Sequence, residues 1–128
     1  DMEQAYKQAY AIVTPSRLES FGMAPLQAMA HGLVPIVSRV SGISEVIDHA
    51  SDGLILEDHL DARELAEHMK RLTCDLDLFK KCAENVKTKA RQFTWSKTAD
   101  ATALAYKYVL NNRKRKTTSE ISFKDTRT

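Results

Sequence analysis

The chain has 128 residues, 43% hydrophobic and 28% charged, the usage of one ordinary folded domain with a modest core. Nineteen basic against 17 acidic residues leave a formal charge of +2, which gives no electrostatic reason for nucleic acid as a main partner. No apolar run approaches the roughly 18 residues of a bilayer span, no secretory signal opens the chain, and Cys74 and Cys82, the only cysteines, read as two buried free thiols of a reducing, cytoplasmic compartment.

Residues 1–9 read as the end of a helix, with Met2, Ala5, Tyr6 and Ala9 at helical spacing and no room before them for a capping residue. Ala11-Ile12-Val13-Thr14, closed by Pro15, is a short apolar run that suits a strand buried on both faces. Residues 22–31 are helical until Gly32 stops them, with Met23, Leu26, Ala30 and Leu33 as the expected buried stripe. Pro35-Ile36-Val37-Ser38 is a second strand, its proline at the first residue, where a missing N–H is tolerated. Ser44 to Ala50 reads as a short helix around Val46 and Ile47, and Gly53-Leu54-Ile55-Leu56 as a third strand. Strands alternating with helices across short loops call for parallel pairing and right-handed crossovers, a doubly wound α/β arrangement.

After Glu57 only helices are expected. Asp61-Ala62-Arg63-Glu64 has the form of a capping box, and Leu65, Met69 and Leu72 follow on one stripe. The next helix carries Phe79, Cys82, Val86 and Ala90, and the last carries Trp95, Ala99, Thr102, Tyr106 and Val109, all read as core. Residues 113–128 turn basic and then polar, the composition of a disordered tail. The run Arg113-Lys114-Arg115-Lys116 reads first as solvated and second as a peripheral contact with an anionic membrane surface. A sheet of three parallel strands is small for covering both faces, so a larger sheet beginning before residue 1 is expected. Without it, Ile12 and Val13 would lie on an exposed edge able to pair with another chain.

The chemistry concentrates in residues 15–32, which follow a strand and open a helix. Ligands of open α/β sheets bind outside the carboxyl ends of the strands. The first-turn N–H groups of a helix lack internal partners and face anions and hydroxyl oxygens well. Gly22 admits a ligand close to the backbone, and Pro25 gives up an N–H where the helix does not need one, leaving the donors around Phe21, Gly22, Met23 and Ala24. Glu19 and Gln27 flank this turn. Two plainer readings stand beside that one: Ser16-x-x-Glu19 fits a capping box, and Gln27 fits a surface residue. His49, His59 and His68 are isolated, without metal-ligand spacing.

The stretch Pro15-Ser16-Arg17-Leu18-Glu19-Ser20-Phe21-Gly22, followed by Gln27-Ala28-Met29-Ala30-His31-Gly32-Leu33-Val34-Pro35-Ile36-Val37, resembles the signature of family 4 glycosyltransferases of the GT-B fold. The resemblance continues through Ser41-Gly42-Ile43-Ser44-Glu45-Val46-Ile47 and Asp52-Gly53-Leu54-Ile55 to Phe93-Thr94-Trp95, covering about residues 1–110. It implies that residues 1–112 are the second half of a Rossmann-like nucleotide-sugar-binding domain, a partial doubly wound parallel sheet followed by C-terminal helices. It implies retaining hexosyl transfer from a UDP- or GDP-linked sugar, with no cofactor and no metal.

By the same resemblance, Glu19 contacts the donor sugar, and the backbone around Ser20, Phe21, Gly22, Met23 and Ala24 binds its hydroxyls or phosphate. Gln27 holds the ribose hydroxyls and Gly42 faces the same cleft. Two positions depart from the pattern: Gln27 replaces the usual Glu, exchanging a charge-assisted bond for a neutral one, and Ser41 replaces a frequent Gly. The family's diphosphate-neutralising Arg and Lys belong to the first half of this domain. Its acceptor, a carbohydrate or a lipid-linked sugar, belongs to a separate N-terminal domain. The chain alone is therefore expected to be inactive. A non-catalytic nucleotide-sugar-binding module and a GT-B-like epimerase or hydrolase are the rival readings.

Overall fold

The computed structural model describes residues 1–122. Its elements are α1 (Met2–Gln8), β1 (Ala11–Thr14), α2 (Met23–Ala30), β2 (Val34–Ser38), a 3-10 turn (Gly42–Glu45), β3 (Leu54–Leu56), α3 (Ala62–Cys74), α4 (Leu76–Ala90) and α5 (Trp95–Ser122). The expected α/β arrangement is present: the strands form one parallel sheet in the order β1-β2-β3, with Val13 beside Ile36 and Val37 beside Ile55.

Strand alternation divides the core. Val37 and Ile55 join Met29, Ile43, Ile47, Val86 and Ala90 on one face. Val34, Ile36, Leu54 and Leu56 join Leu72, Leu78 and Cys82 on the other. All five residues of β2 and all three of β3 are buried, which is why both strands read as plain apolar runs. β2 begins one residue earlier than expected, so Pro35 is its second residue, paired with Ile12.

β1 departs from its expected burial. It is an edge strand of the sheet among the described residues, and all four of its residues are only half-buried. Beside it an apolar cleft of about 390 Å³ stays open between Tyr10, Val13, Ile36, Met69, Leu76 and Phe79. The same opening leaves Met69 of the α3 stripe 49% exposed while Leu72 is buried.

Carboxylates set the starts of α1, α3 and α4. α1 has a cap after all: the Asp1 side chain accepts the Glu3 N–H. Asp61 accepts the N–H groups of Arg63 and Glu64 at the start of α3. Its capping-box partner goes elsewhere, because Glu64 accepts from the N–H groups of Glu57 and Asp58 and thereby ties α3 to the end of β3. Asp75 caps α4 through the Leu78 N–H. In α4, Cys82, Val86 and Ala90 are buried as their spacing predicts, but Cys74 at the end of α3 is exposed, so only one thiol is in the core.

The chain forms two compact units, divided between Gln92 and Phe93, before α5 rather than after it. Taken by itself, and among the described residues, the second unit holds the one helix α5, and a lone helix has nothing within its own unit to bury a stripe against. Trp95, Tyr106 and Val109, expected in the core, are 84%, 68% and 59% exposed. α5 continues to Ser122, through the first part of the expected tail. Side chains at 114–122, which include three of the four basic-run residues, and the whole of residues 123–128 lie outside the described residues. Among the described residues no helix is long and apolar enough to cross a membrane.

Candidate functional site

The carboxyl ends of β1 and β2 lead into two loops that lock together. From the first, the Glu19 carbonyl accepts the Gly42 N–H and the Phe21 carbonyl accepts the Ile43 N–H. Glu19 and Ser41 form an isolated parallel bridge, extending the β1–β2 pairing beyond the strands. Serines close the second loop on itself. Ser41 Oγ donates to the Ser38 carbonyl at 2.7 Å and Ser44 Oγ to the Arg39 carbonyl at 2.8 Å. Ser38 Oγ reaches across to the Ser16 carbonyl at 2.7 Å.

Glycine makes the approach feasible. A Cβ on Gly42 would stand 2.2 Å from the Ser20 carbonyl oxygen, a distance no real side chain tolerates. Gly22 has φ +106°, in the left-handed region, with Ile43 Cγ2 3.0 Å from where its Cβ would be.

Gly22 is also the N-cap of α2, and no side chain caps that helix. The alternative in which Ser16 and Glu19 form a capping box is therefore not realised: the helix begins at Met23, and Ser16 instead offers its carbonyl to Ser38. Among the described residues no hydrogen-bond acceptor meets the N–H of Met23 or Ala24. An uncapped helix start carries unpaired donors and the positive end of the dipole, worth about 0.3–1 kcal/mol toward an anion at an exposed position. At the carboxyl end of β1, Thr14 Oγ1 is buried without a hydrogen-bond partner among the described residues.

The phase of α2 differs from the expected one. Its buried residues are Pro25, Ala28 and Met29, not Met23 and Ala30. Met23 is 53% exposed, and Ala24 and Gln27 are exposed with it. Gln27 is thus a surface amide on the outward face, not a half-buried one at the stripe's edge, and its side chain makes no hydrogen bond among the described residues. Glu19 is half-buried, Ser20 exposed, and Phe21 half-buried against the cluster of Met29 and Ile43. The short helix expected at 44–50 is instead the 3-10 turn at Gly42–Glu45. It starts two residues earlier because Ser41 and Ser44 bind preceding carbonyls. Both serines are buried in those bonds, and Gly42 and Ile43 are the part of that loop lying against Ser20, Phe21 and Gly22.

Local spacing does not reveal the groups that hold this region in place. Arg39, after β2, pairs with Glu57, after β3. The hydrogen bond between them raises the Arg39 pKa and lowers that of Glu57. Behind the 3-10 turn, Lys89 of α4 meets Asp48 and Asp52. Among the described residues no group of three His, Cys, Asp or Glu could hold a metal ion.

The carboxyl rim of a parallel sheet, beside an uncapped helix start, is where open α/β units in general take anionic ligands. Residues 1–89 match the family model "Glycosyl transferases group 1", and the chain belongs to that family. It is 31% identical over 110 residues to D-inositol 3-phosphate glycosyltransferase of Streptomyces bingchenggensis, across 86% of this chain and 24% of that protein. Its fold resembles sucrose-phosphate synthase from Thermosynechococcus elongatus, with a TM-score of 0.73 and 27% identity over 84% of this chain and 27% of that one. A glycosyltransferase from Rickettsia africae superposes with a TM-score of 0.75 at 24% identity, over 88% of this chain and 30% of that one. The chain spans about a quarter of the length of the curated D-inositol 3-phosphate glycosyltransferases it matches.

Proposed function

We propose that this chain is the donor-binding part of a retaining, family 4 hexosyltransferase that uses a UDP- or GDP-linked sugar. The reading rests chiefly on the uncapped start of α2, where Gly22, in the left-handed region, turns the chain between Glu19 and Gln27. In it, the N–H groups at Met23 and Ala24 meet a phosphate or sugar oxygen, Glu19 accepts from donor-sugar hydroxyls, and the Gln27 amide both donates to and accepts from ribose hydroxyls. Gly42 lets the facing loop close on the backbone of Ser20 and Phe21. The chemistry needs no metal or cofactor from these residues. Transfer would proceed by electrostatic stabilisation of the departing nucleotide diphosphate, through cations and an acceptor-binding domain beyond this stretch. The acceptor would be a carbohydrate or a lipid-linked sugar.

The test is calorimetric titration of the 128-residue chain with UDP-glucose and GDP-mannose. Binding of one of them, weakened about tenfold by Glu19→Ala, supports the reading. Binding of neither overturns it. Glycosyl transfer by the chain alone would contradict the division of labour proposed here.

A second reading has one observation behind it: the neutral Gln27 where the family usually has Glu favours a module that binds nucleotide sugar without transferring it. Activity of the longer protein before and after Gln27→Glu separates the two. Transfer by the unaltered protein removes the second reading, and absence of transfer in both forms favours it.

A further inference from the structure

We propose that Lys89 is a positioning residue for the donor site, holding the far end of the 3-10 turn whose near end supports the opening of α2. The inference rests on the donor-site reading above. One row of α4 side chains, spaced four residues apart, takes carbonyls from the loop that follows this turn. Lys81 donates to the Ala50 carbonyl at 3.2 Å, Asn85 to that of Ser51 at 2.9 Å, and Lys89 to that of Val46 at 2.7 Å. Only Lys89 in this row also meets carboxylates: Asp48 at 2.7 Å, and Asp52.

Asp52 is 3% exposed and accepts the Asp48 N–H at 2.8 Å, so its charge depends on Lys89 for compensation. Burial by itself lowers the Lys89 pKa, but the bonds to Asp48 and Asp52 outweigh it and raise the value, so the cation persists through the physiological range. Val46 closes the 3-10 turn with its N–H on the Ile43 carbonyl, Ile43 donates to the Phe21 carbonyl, and Gly42 donates to that of Glu19. Named contacts therefore run without a break from the Lys89 ammonium to the turn that opens α2. Releasing the ammonium frees Val46 and lets the Gly42–Ile43 segment drift from Ser20 and Phe21.

The experiment measures affinity of the 128-residue chain for UDP-glucose and GDP-mannose, together with Tm, in four variants. Lys89→Met is expected to weaken binding about tenfold, since displacement of a supporting loop misplaces the groups it carries. Lys89→Arg, which keeps the charge and the donors, should stay within about threefold of the unaltered chain. Leu72→Ala opens a cavity in the cluster on the other sheet face; it should lower Tm and leave affinity within about twofold. Glu19→Ala reports on the site itself.

Lys89→Met binding like Leu72→Ala overturns the inference, and if Glu19→Ala is meanwhile weakened the donor site survives without it. No binding by the unaltered chain, or full binding by Glu19→Ala, overturns the donor-site reading and the inference with it. Should Lys89→Met fail to fold, Asp48→Asn, at a side chain 78% exposed, reads the outer end of the same contact. An affinity loss of about threefold supports the inference, and none overturns it.

Discussion

Gly42 approaches Ser20 so closely that any side chain at position 42 would collide with the Ser20 carbonyl oxygen, 2.2 Å from its Cβ. The obstacle is backbone, which cannot swing aside as a flexible side chain can. Gly42→Ala is expected to destabilise the chain by about 1–3 kcal/mol, the usual range for overpacking, and to weaken donor binding. Urea denaturation and titration check both effects.

At Gly22 the obstacle is conformational. Its φ of +106° would cost an alanine about 1–2 kcal/mol, and Ile43 Cγ2 adds crowding. Gly22→Ala should therefore lower the urea midpoint with an unchanged slope. An unchanged midpoint would mean that α2 starts without a left-handed residue.

Gln27 is exposed, so a charge placed there is screened by water. Gln27→Glu is expected to tighten binding of a sugar nucleotide by no more than about fivefold, close to 1 kcal/mol. Its effect on Tm should be within error, which calorimetry and thermal melting check together.

Acid should act through His49. Its Nδ1 accepts the Ile55 N–H at 3.1 Å, while His68 Nε2 donates to the Ile55 carbonyl at 3.0 Å. The two rings lie 5.5 Å apart, with Glu64 beside His68. Burial, then the charges of His68, Arg71 and Arg39, lower the His49 pKa, and Glu57 only partly opposes them. A base whose folded pKa is depressed leaves the unfolded chain binding the proton first. The His49 contribution is thus complete above the ordinary histidine value, about 6.5, and is lost as pH falls below it. Protonation also converts the Nδ1 acceptor into a donor facing the Ile55 N–H. His49→Gln should flatten the decline of Tm between about pH 6.5 and 5; a decline of unchanged slope would assign the effect elsewhere.

The two thiols should separate in a labelling experiment. Cys74 is exposed and Cys82 buried, and burial raises the Cys82 pKa, further disfavouring its thiolate. One equivalent of reagent should react promptly with the native chain and the second only on unfolding. Prompt reaction of both would place Cys82 at the surface.

β2 and β3 are legible in the sequence to within a residue, because strands buried on both faces must be apolar throughout. The turn at Phe21, Gly22 and Met23 is legible because glycine and proline punctuate it. The phase of α2 is not, since Met23-Ala24-Pro25-Leu26-Gln27-Ala28-Met29-Ala30 is apolar nearly all round and its spacing carries little directional information. The 3-10 turn escapes because Ser41 and Ser44 set its register through carbonyls that periodicity does not see. Lys89 and Asp48 lie 41 positions apart, a pairing no local pattern encodes. The stripe on α5 is correctly read as apolar, but spacing says nothing about what, if anything, covers it.

The most direct test of the donor site is an amide-shift map of the ¹⁵N-labelled chain titrated with UDP-glucose and with GDP-mannose. The largest shifts are expected for one of them at Phe21, Gly22, Met23, Ala24 and Gly42, with the Gln27 side-chain amide moving alongside. Shifts confined to the cleft around Tyr10 and Phe79, or none with either compound, would contradict it.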